Sequence, residues 1–252
     1  MIIQLTHNQN TYEVDLSKPI DISIPLIEDE NQVNCFYAPF FETAPVRMGD
    51  FVGSTAEGGV VNFLNVRINP HGNGTHTECV GHIAKEHYSI NKCLKNYHKI
   101  AKLHTVIPTI LENGDRVILK NQLEHLLEKN EVEAIIIRTI PNHLEKQNIK
   151  YSGTNPTFVH HEAIQYIVSM GIQHLLIDLP SVDREEDGGK LLSHKAFWQY
   201  PENTREDCTI TELVYVDDKI KDGIYFLNLQ IASFEIDVSP SKPILYQLYT
   251  KN

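Results

Sequence analysis

The spacing of apolar and polar residues along the chain indicates a protein built from both strands and helices. Strands are predicted over DISIPLI (21–27) and over VVNFLNVRINP (60–70), which is rich in β-branched and aromatic residues and ends at a proline. Two further strands are predicted over AKLHTVIPTIL (101–111) and EAIIIRTI (133–140), and the spacing in QLEHLLEKN between them suits a short helix. The first half is therefore expected to consist mainly of strands and loops.

The second half places a helix before a strand, which is the unit of α/β folds. HEAIQYIVSMG (161–171) has apolar residues at helical spacing and a terminal glycine, which is typical of a helix with a C-terminal stop. HLLIDLPSVD (174–183) predicts a buried strand that runs into a loop, and TITELVYVD (209–217) and GIYFLNLQI (223–231) return to strand alternation. No repeat or linker rich in Ser, Gly or Pro divides the chain, so a single domain is expected over residues 1–252.

Composition and charge narrow the class of partner. The formal net charge of −11 leaves no concentration of Lys and Arg for nucleic acid or an anionic membrane, so a small-molecule partner is expected. No secretory signal is visible at the N-terminus, and no stretch approaches the roughly 18 apolar residues of a membrane span. The four cysteines lack CxxC spacing, which favours neither a disulfide framework nor a thiolate zinc site. A cytoplasmic location is expected.

Potential metal ligands are concentrated in the segment HGNGTHTECVGH (71–82), which directly follows a predicted strand. A hydrolytic metal site needs several neutral imidazoles and carboxylates that converge, with one coordination position left for water. His71, His76, Glu78 and His82 supply these groups, and in an extended chain His76 and Glu78 point to the same side. The alternative is a solvated polar turn with incidental histidines. Motifs of serine hydrolases, P-loop enzymes and dinucleotide-binding enzymes are not found in the sequence.

The same segment resembles the signature of the cyclase family, which includes bacterial kynurenine formamidase and isatin hydrolase and has the pattern H-x-G-T-H-x-D-x-P-x-H. GTH (74–76) matches the centre of that pattern, Glu78 falls on its Asp and His82 on its last His. GIQHLLIDLPSVD (171–183) resembles the family's G-I-D-x-x-S-V-D strand and loop, and DIS (21–23) resembles its opening D-I-S. The resemblance therefore runs from about residue 20 to the C-terminus.

The resemblance implies a fold and an activity. The fold is a single α/β domain of the swivelling β/β/α type, with a central mixed β-sheet or barrel-like core flanked by helices. The activity is metal-dependent hydrolysis of a small amide or imide C–N bond, as in kynurenine formamidase and isatin hydrolase, with a metal-activated water as nucleophile. The family also implies a homo-oligomer, most simply a dimer.

The resemblance also implies roles for particular residues. The family's later ligands carry over to His194, in LLSH (191–194), and to Glu212, in TITE (209–212), which by themselves would read as a surface histidine and a solvent-facing carboxylate. His82 is then the general acid/base, and Glu212 shares that duty. Zn²⁺ or Mn²⁺ suits nitrogen and oxygen ligands. The metal would be held by a subset of His71, His76, Glu78, His194 and Glu212.

Three positions depart from the family's pattern. The first His of the pattern lies four residues before the His of G-T-H, where this chain has Gly72, and His71 lies one residue earlier. Glu78 is longer than Asp by one methylene, which moves the carboxylate by about 1.5 Å, and Val80 replaces Pro. Two alternatives therefore stay open beside the hydrolase. One is a non-catalytic small-molecule-binding protein on the same fold with a degraded metal site, and the other is a ring-forming cyclase or dehydratase.

Two features of the neighbouring sequence have alternative interpretations. The aromatic residues of CFYAPFF (35–41) are candidates for a substrate wall, but core packing explains them equally well. Cys79 lies inside the motif, and a buried, inert thiol is expected there because nothing in the sequence indicates a lowered pKa.

Overall fold

The computed structural model describes residues 1–250, in which strands are more frequent than helices. The strands are β1 (Ile2–His7), β2 (Asn10–Asp15), β3 (Ile20–Asp21), β4 (Glu42–Pro45), β5 (Arg47–Met48), β6 (Phe51–Val52), β7 (Leu64–Arg67), β8 (His76–Glu78), β9 (His98–Val106), β10 (Thr109–Ile110), β11 (Arg116–Ile118), β12 (Ala134–Thr139), β13 (Phe158–Val159), β14 (His174–Ile177), β15 (Thr209–Glu212), β16 (Gly223–Ile231), β17 (Val238–Gln247) and β18 (Tyr249–Thr250). The α-helices are α1 (Pro70–Asn73), α2 (Ile90–Cys93), α3 (His161–Ser169) and α4 (Leu192–Trp198).

Seven strands form a closed barrel in the order β16-β9-β12-β14-β15-β8-β17, which is closed by pairing of β16 with β17. Strands β9, β12, β14 and β15 are parallel to one another, and the remaining contacts around the ring are antiparallel. The short β3 adds to β17. The predicted α/β fold with a barrel-like mixed core is therefore confirmed.

The central parallel strands are buried on both faces. In β12 and β14, Ile136 and Leu176 belong to an apolar cluster drawn from strands all around the ring. The alternate residue Ile135 lies in a second cluster, together with Ile164 of α3 and Trp198 of α4. Successive side chains of a strand point to opposite faces, so a strand covered on both sides reads as a continuous apolar run. This explains why the sequence around β12 is apolar without alternation.

Several predicted elements are confirmed and one is wrong. Strands β12, β14 and β16 and helix α3 lie where the sequence predicted them. The helix predicted over 122–130 is wrong, because the chain there forms a 3₁₀ turn at Lys120–Gln122 followed by irregular turns. Leu123 and Leu127 are buried at helical spacing, but His125 and Asn130 have positive φ angles, which an α-helix does not tolerate.

The strands predicted over 21–27 and 60–70 are much shorter than expected. In the first segment only Ile20–Asp21 forms a regular strand, and Ile24 N–H donates to the Thr75 hydroxyl at 2.7 Å instead of to a neighbouring strand. In the second segment only Leu64–Arg67 forms a strand, and all four of its residues are exposed. It pairs with β4 in a two-stranded ribbon. We call residues 42–67 the apolar arm, because large apolar side chains project from it into solvent.

The strand order brings three distant parts of the sequence together at one end of the barrel. Strand β8 lies between β15 and β17, so Glu212 is opposite His76 on one side. On the other side Val238 is opposite Glu78, which places the preceding Asp237 beside them. Among residues 1–250, no helix is both long and apolar enough to span a membrane.

Candidate metal centre

Strand β8 carries two buried side chains that face a common centre. His76 Nδ1 donates to the Gly74 carbonyl at 2.9 Å, which leaves Nε2 of a neutral ring as a lone-pair donor to a metal. That Nε2 lies 3.4 Å from Glu212 Oε2. Glu212 is held by its other oxygen, which accepts the Val182 N–H at 3.0 Å. Two electron-rich atoms therefore face each other in a site closed to solvent.

Glu78 lies among three histidines. Its Oε1 is 3.2 Å from His194 Nε2, and its Oε2 is 3.3 Å from His71 Nδ1 and 3.6 Å from His82 Nδ1. Burial opposes ionisation of this carboxyl, but the facing imidazoles outweigh it and hold the pKa of Glu78 well below its usual range. The two oxygens of this anion therefore face two different sides of the centre.

His71 reaches the centre although it stands one residue earlier than the family's first histidine. It lies in α1, whose N-terminal Asn69 accepts the Gly72 N–H at 3.1 Å and so starts the turn. At position 72 a Cβ atom would lie 2.2 Å from the Ala38 Cβ, so no side chain fits there without movement. The turn thus holds one extra residue, and the longer Glu78 side chain lies within 3.3 Å of the displaced His71.

His194 is fixed by Asp183, the last residue of the S-V-D loop. The Asp183 carboxylate accepts the backbone N–H groups of Ser193 and His194 at 2.8 and 3.1 Å, at the start of α4. It also accepts His194 Nδ1–H at 2.6 Å, which turns Nε2 toward Glu78. Burial opposes protonation, but the hydrogen bonds to Asp183 and Glu78 raise the pKa of His194 to about 10. The sequence contained Asp183 in a recognised motif, yet this positioning role was not predicted.

Asp237 is a member of the cluster that the sequence analysis missed. Its Oδ2 lies 3.0 Å from His71 Nε2 and 3.5 Å from His82 Nδ1. Hydrogen bonds to these two histidines hold the pKa of Asp237 well below its usual range. Burial opposes protonation of His71, but the hydrogen bond to Asp237 and the negative charge of Glu78 raise the pKa of His71 to about 10. No local signal marks Asp237, because only the pairing of β17 with β8 brings it here.

The donor atoms of the cluster fit a divalent cation. The buried atoms His76 Nε2 and Glu78 Oε2 make no hydrogen bond within the described residues, and such groups are costly to bury unless something satisfies them. Three overlapping groups of residues have ligand atoms within 4.8 Å of one another. The groups are His71, His76 and Glu78; His71, His82 and Asp237; and Glu78, His82 and His194. The cluster is therefore able to bind a metal ion.

The structure brings all of the predicted site residues to this one place. The five predicted ligands and the predicted acid/base contact one another directly within the cluster. These residues are His71, His76, Glu78, His82, His194 and Glu212. None of them is the isolated surface group that its residue type alone would suggest.

A small pocket opens onto the cluster. It has a volume of about 160 Å³, and Phe36, Ser181 and Arg184 line it together with His82 and His194. Of the aromatic residues proposed as a substrate wall, Phe36 is the one that lines this pocket.

The thiol inside the motif does not face the pocket. Cys79 is buried, and a hydrogen bond to the Cys93 thiol together with burial raises the pKa of Cys79. A thiol with a raised pKa is a poor nucleophile. The geometry therefore fits the expectation of an inert thiol.

Solved structures of similar fold include several hydrolases. A predicted metal-dependent hydrolase from Bacillus stearothermophilus is 17% identical, with a TM-score of 0.61 over 91% of this chain and 98% of that chain. An isatin hydrolase bound to the product analogue thioisatinate is 13% identical, with a TM-score of 0.62 over 93% of each chain. Isatin hydrolase A from Ralstonia solanacearum is 12% identical, with a TM-score of 0.62 over 91% of each chain. At these identities the likeness shows the fold.

Comparison of the sequence itself gives the family. No curated protein matches the chain. The sequence model of the family described as Putative cyclase matches residues 14–184, which is more than half of the chain and includes both the 71–82 motif and the S-V-D loop. The match agrees with the fold of the solved structures and includes four residues of the cluster, His71, His76, Glu78 and His82. The chain belongs to the cyclase family.

Proposed function

We propose that the protein is a metal-dependent hydrolase of a small amide or imide C–N bond. The observation that carries the proposal is the buried Glu78 anion, which faces three imidazoles while His76 Nε2 lacks any hydrogen-bond partner among the described residues. A buried nitrogen without a partner is costly, and a metal ion among these nitrogen and oxygen donors would satisfy it. The fold neighbours that are described as metal-dependent hydrolases and isatin hydrolases support the reaction class.

We place the metal at the centre that the lone pairs of the ligands face. Zn²⁺ and Mn²⁺ both suit these nitrogen and oxygen donors. Because Glu78 presents its two oxygens to different sides, the centre has room for one or two ions. A bound cation of this kind polarises a carbonyl group and lowers the pKa of a water molecule toward about 7. The assigned ligands are His71, His76, Glu78, His194 and Glu212.

We assign the proton transfer to His82. Its side chain is 31% exposed at the pocket, and its Nδ1 lies 3.5 Å from Asp237 Oδ2. This position at the pocket allows His82 to deliver a proton to a leaving nitrogen. One oxygen of Glu212 accepts the Val182 N–H, which leaves only Oε2 for proton transfer. We therefore assign Glu212 a smaller part in the proton transfer than His82.

We expect a small substrate. The pocket volume of about 160 Å³ accepts little more than the reacting group and a ring, and its lining mixes the Phe36 ring with polar side chains. The net charge of −11 also disfavours nucleic acid as a substrate. An aryl or cyclic amide fits best, and N-formylkynurenine and isatin are the first compounds to test.

The test is hydrolysis of a panel of formamides, isatin-like imides and simple lactones with Zn²⁺ and with Mn²⁺. We expect the wild type to hydrolyse at least one amide or imide. Glu78→Gln should lose that activity, whereas His87→Gln, an exposed histidine near the motif, should retain it. Stoichiometric metal without turnover of any compound would refute the hydrolase, and a cyclised product would favour the ring-forming alternative.

A further inference from the structure

A second cavity lies beside the metal centre and shares none of its lining residues. It has a volume of about 740 Å³, within the roughly 300–1,000 Å³ of small-molecule sites. The segment from Asp178 to Asp183 separates the two cavities. Asp178 and Leu179 line the large one, whereas Ser181 and Asp183 line the pocket at the metal centre. We call the large cavity the apolar cleft.

The apolar cleft lies where ligand sites of α/β folds are usually found. Thr139 ends β12, and Asp178 directly follows β14, so the carboxyl ends of two parallel strands form its floor. Ligands of such folds bind at the carboxyl ends of the parallel strands, because the loops that follow them are free to vary. This position therefore indicates that the apolar cleft is a ligand-binding site and not a gap left by poor packing.

The walls of the cleft are apolar and stiff. Ile107 and Ile110 are 68% and 72% exposed, which is unusual for side chains of this size. Ile140 also lines the cleft and is exposed. Pro108, Pro141 and Pro156 complete the walls, and proline fixes its own φ angle, so the opening is held in shape. The cleft thus offers preformed space for a hydrocarbon body.

The floor carries a closed ion pair that offers nothing to a ligand. Lys146 Nζ donates to Asp178 Oδ2 at 2.7 Å, to the Thr139 carbonyl at 2.7 Å and to the Thr139 hydroxyl at 2.9 Å. All three ammonium hydrogens are therefore used. The positive charge of Lys146 is neutralised by a carboxylate that is fully buried.

Arg116 is the cation at the cleft that remains available. It begins β11 directly opposite Ile110 and lines the cleft, and within residues 1–250 it makes no ion pair and no side-chain hydrogen bond. By contrast, Arg184 pairs with Asp115. A guanidinium group binds a carboxylate through two parallel hydrogen bonds, so an unpaired one beside an apolar wall selects an amphipathic anion.

We propose that the apolar cleft is a second small-molecule site, which binds a monocarboxylate with a hydrocarbon body and holds the carboxylate on Arg116. Glu145, which also lines the cleft, disfavours a ligand with a second negative charge. This proposal does not depend on the reaction at the metal centre.

The test is calorimetric titration of the purified protein with 4-phenylbutyrate and with the neutral 4-phenylbutanol. We expect saturable binding at one site per chain, with the carboxylate about ten-fold tighter because its hydrogen bonds are charge-assisted. Arg116→Gln should abolish this preference. The matched control Lys92→Gln removes one exposed positive charge away from the cleft and should preserve it. Equal behaviour of the two variants would overturn the proposal.

Two further measurements separate the cleft from its alternatives. Thr157→Phe fills the cleft and should weaken both compounds, with circular dichroism confirming that the variant is folded. Binding should also persist after the metal is stripped, since the two cavities share no residue. Binding that is lost with the metal would place the carboxylate at the metal centre and refute the second site. So would the lack of saturable binding, which is the result expected if a second copy of the chain covers the cleft.

Discussion

At the level of single residues, hydrogen bonds to groups outside the assigned ligands orient two imidazoles of the cluster. The Gly74 carbonyl accepts Nδ1–H of His76, and the Asp183 carboxylate accepts Nδ1–H of His194. Such partners determine which nitrogen faces a metal, and their removal commonly lowers metal affinity about 10–100-fold. In the proposed metal centre, the orientation of these two ligands therefore depends on groups outside the assigned ligand set.

Replacement of His82 by Ala separates proton transfer from metal binding. The variant should keep its metal, because the five assigned ligands remain, and its kcat should fall by about 10²–10⁴-fold, the usual cost of losing a general acid/base. Elemental analysis and steady-state kinetics on the same sample measure both effects. Loss of the metal in this variant would make His82 a ligand and move the proton-transfer role elsewhere.

Metal affinity is expected to rise with pH. Without metal, the pKa values of His71 and His194 are both raised to about 10, so both rings carry a proton at pH 7. A metal must displace these protons, and below the pKa each one changes affinity by up to about ten-fold per pH unit. In metal-buffered titrations, the Kd for Zn²⁺ should fall by at least about ten-fold from pH 6 to pH 8. A Kd that is constant or increases over this range would contradict the protonation states described here.

At the scale of elements, the position of His71 depends on how closely α1 packs against the preceding loop. Gly72 lies against Ala38, where a Cβ would come within 2.2 Å of the Ala38 Cβ and 3.1 Å of the Cys35 carbonyl oxygen. Helix α1 has only four residues, so little of its own structure resists a displacement. Packing at Gly72 therefore keeps His71 in the cluster.

Gly72→Ala is expected to destabilise the protein. Overpacking of this kind costs about 1–3 kcal/mol, which corresponds to about 2–12 °C in Tm for a chain of this size. The double variant Gly72→Ala/Ala38→Gly removes the opposing Cβ and should recover most of the loss. Thermal unfolding followed by circular dichroism measures both. An unchanged Tm in the single variant would show that the loop that carries Ala38 moves aside without a cost in stability.

The elements that the sequence predicted well are those whose pattern is set by local packing. Strands β12, β14 and β16 and helix α3 are buried along whole faces, so apolar residues occupy their buried positions and the pattern is visible in the sequence. The helix predicted over 122–130 has the right apolar spacing, but positive φ angles interrupt it. Helix α4, which carries His194, was not predicted, because its start depends on an Asp183 carboxylate ten residues away.

At the scale of the whole molecule, the apolar arm indicates association of two copies. Within the arm, Val60, Phe63, Leu64 and Val66 are all exposed, and the ribbon of β4 and β7 is a separate two-stranded sheet. A two-stranded ribbon is only marginally stable unless something covers it, and contiguous exposed apolar side chains commonly mark interfaces. We therefore propose the homodimer that the family resemblance implied.

Light scattering tests the dimer at micromolar concentration. The wild type should have twice the chain mass of 28.8 kDa. Phe63→Asp combined with Val66→Asp should give monomers, because two carboxylates without a cationic partner are costly to bury in an apolar interface. Ile2→Asp, an equally exposed apolar residue outside the arm, should leave the dimer intact. A wild-type particle of 28.8 kDa would contradict the proposal.

The candidate site was predictable as far as its residues lie in recognisable motifs. The dense 71–82 segment identified four members from sequence alone, and the ordered family motifs supplied His194 and Glu212. Asp237 was not predictable, because it is 166 residues from its partner His71 and has no motif of its own. It enters the site only through the pairing of β17 with β8, which joins distant parts of the chain.

The metal content of the purified protein shows directly whether the cluster is a metal centre. Protein purified without chelator should contain about one or two transition-metal ions per chain by elemental analysis. The reason is that the donor atoms of the five assigned ligands face a common centre. His76→Ala should lose most of that metal, since it removes the ligand whose Nε2 has no other partner among the described residues. Metal content below roughly 0.1 ions per chain, unchanged after incubation with Zn²⁺ or Mn²⁺, would contradict a metal centre at this cluster, because protein metal sites bind their ions tightly.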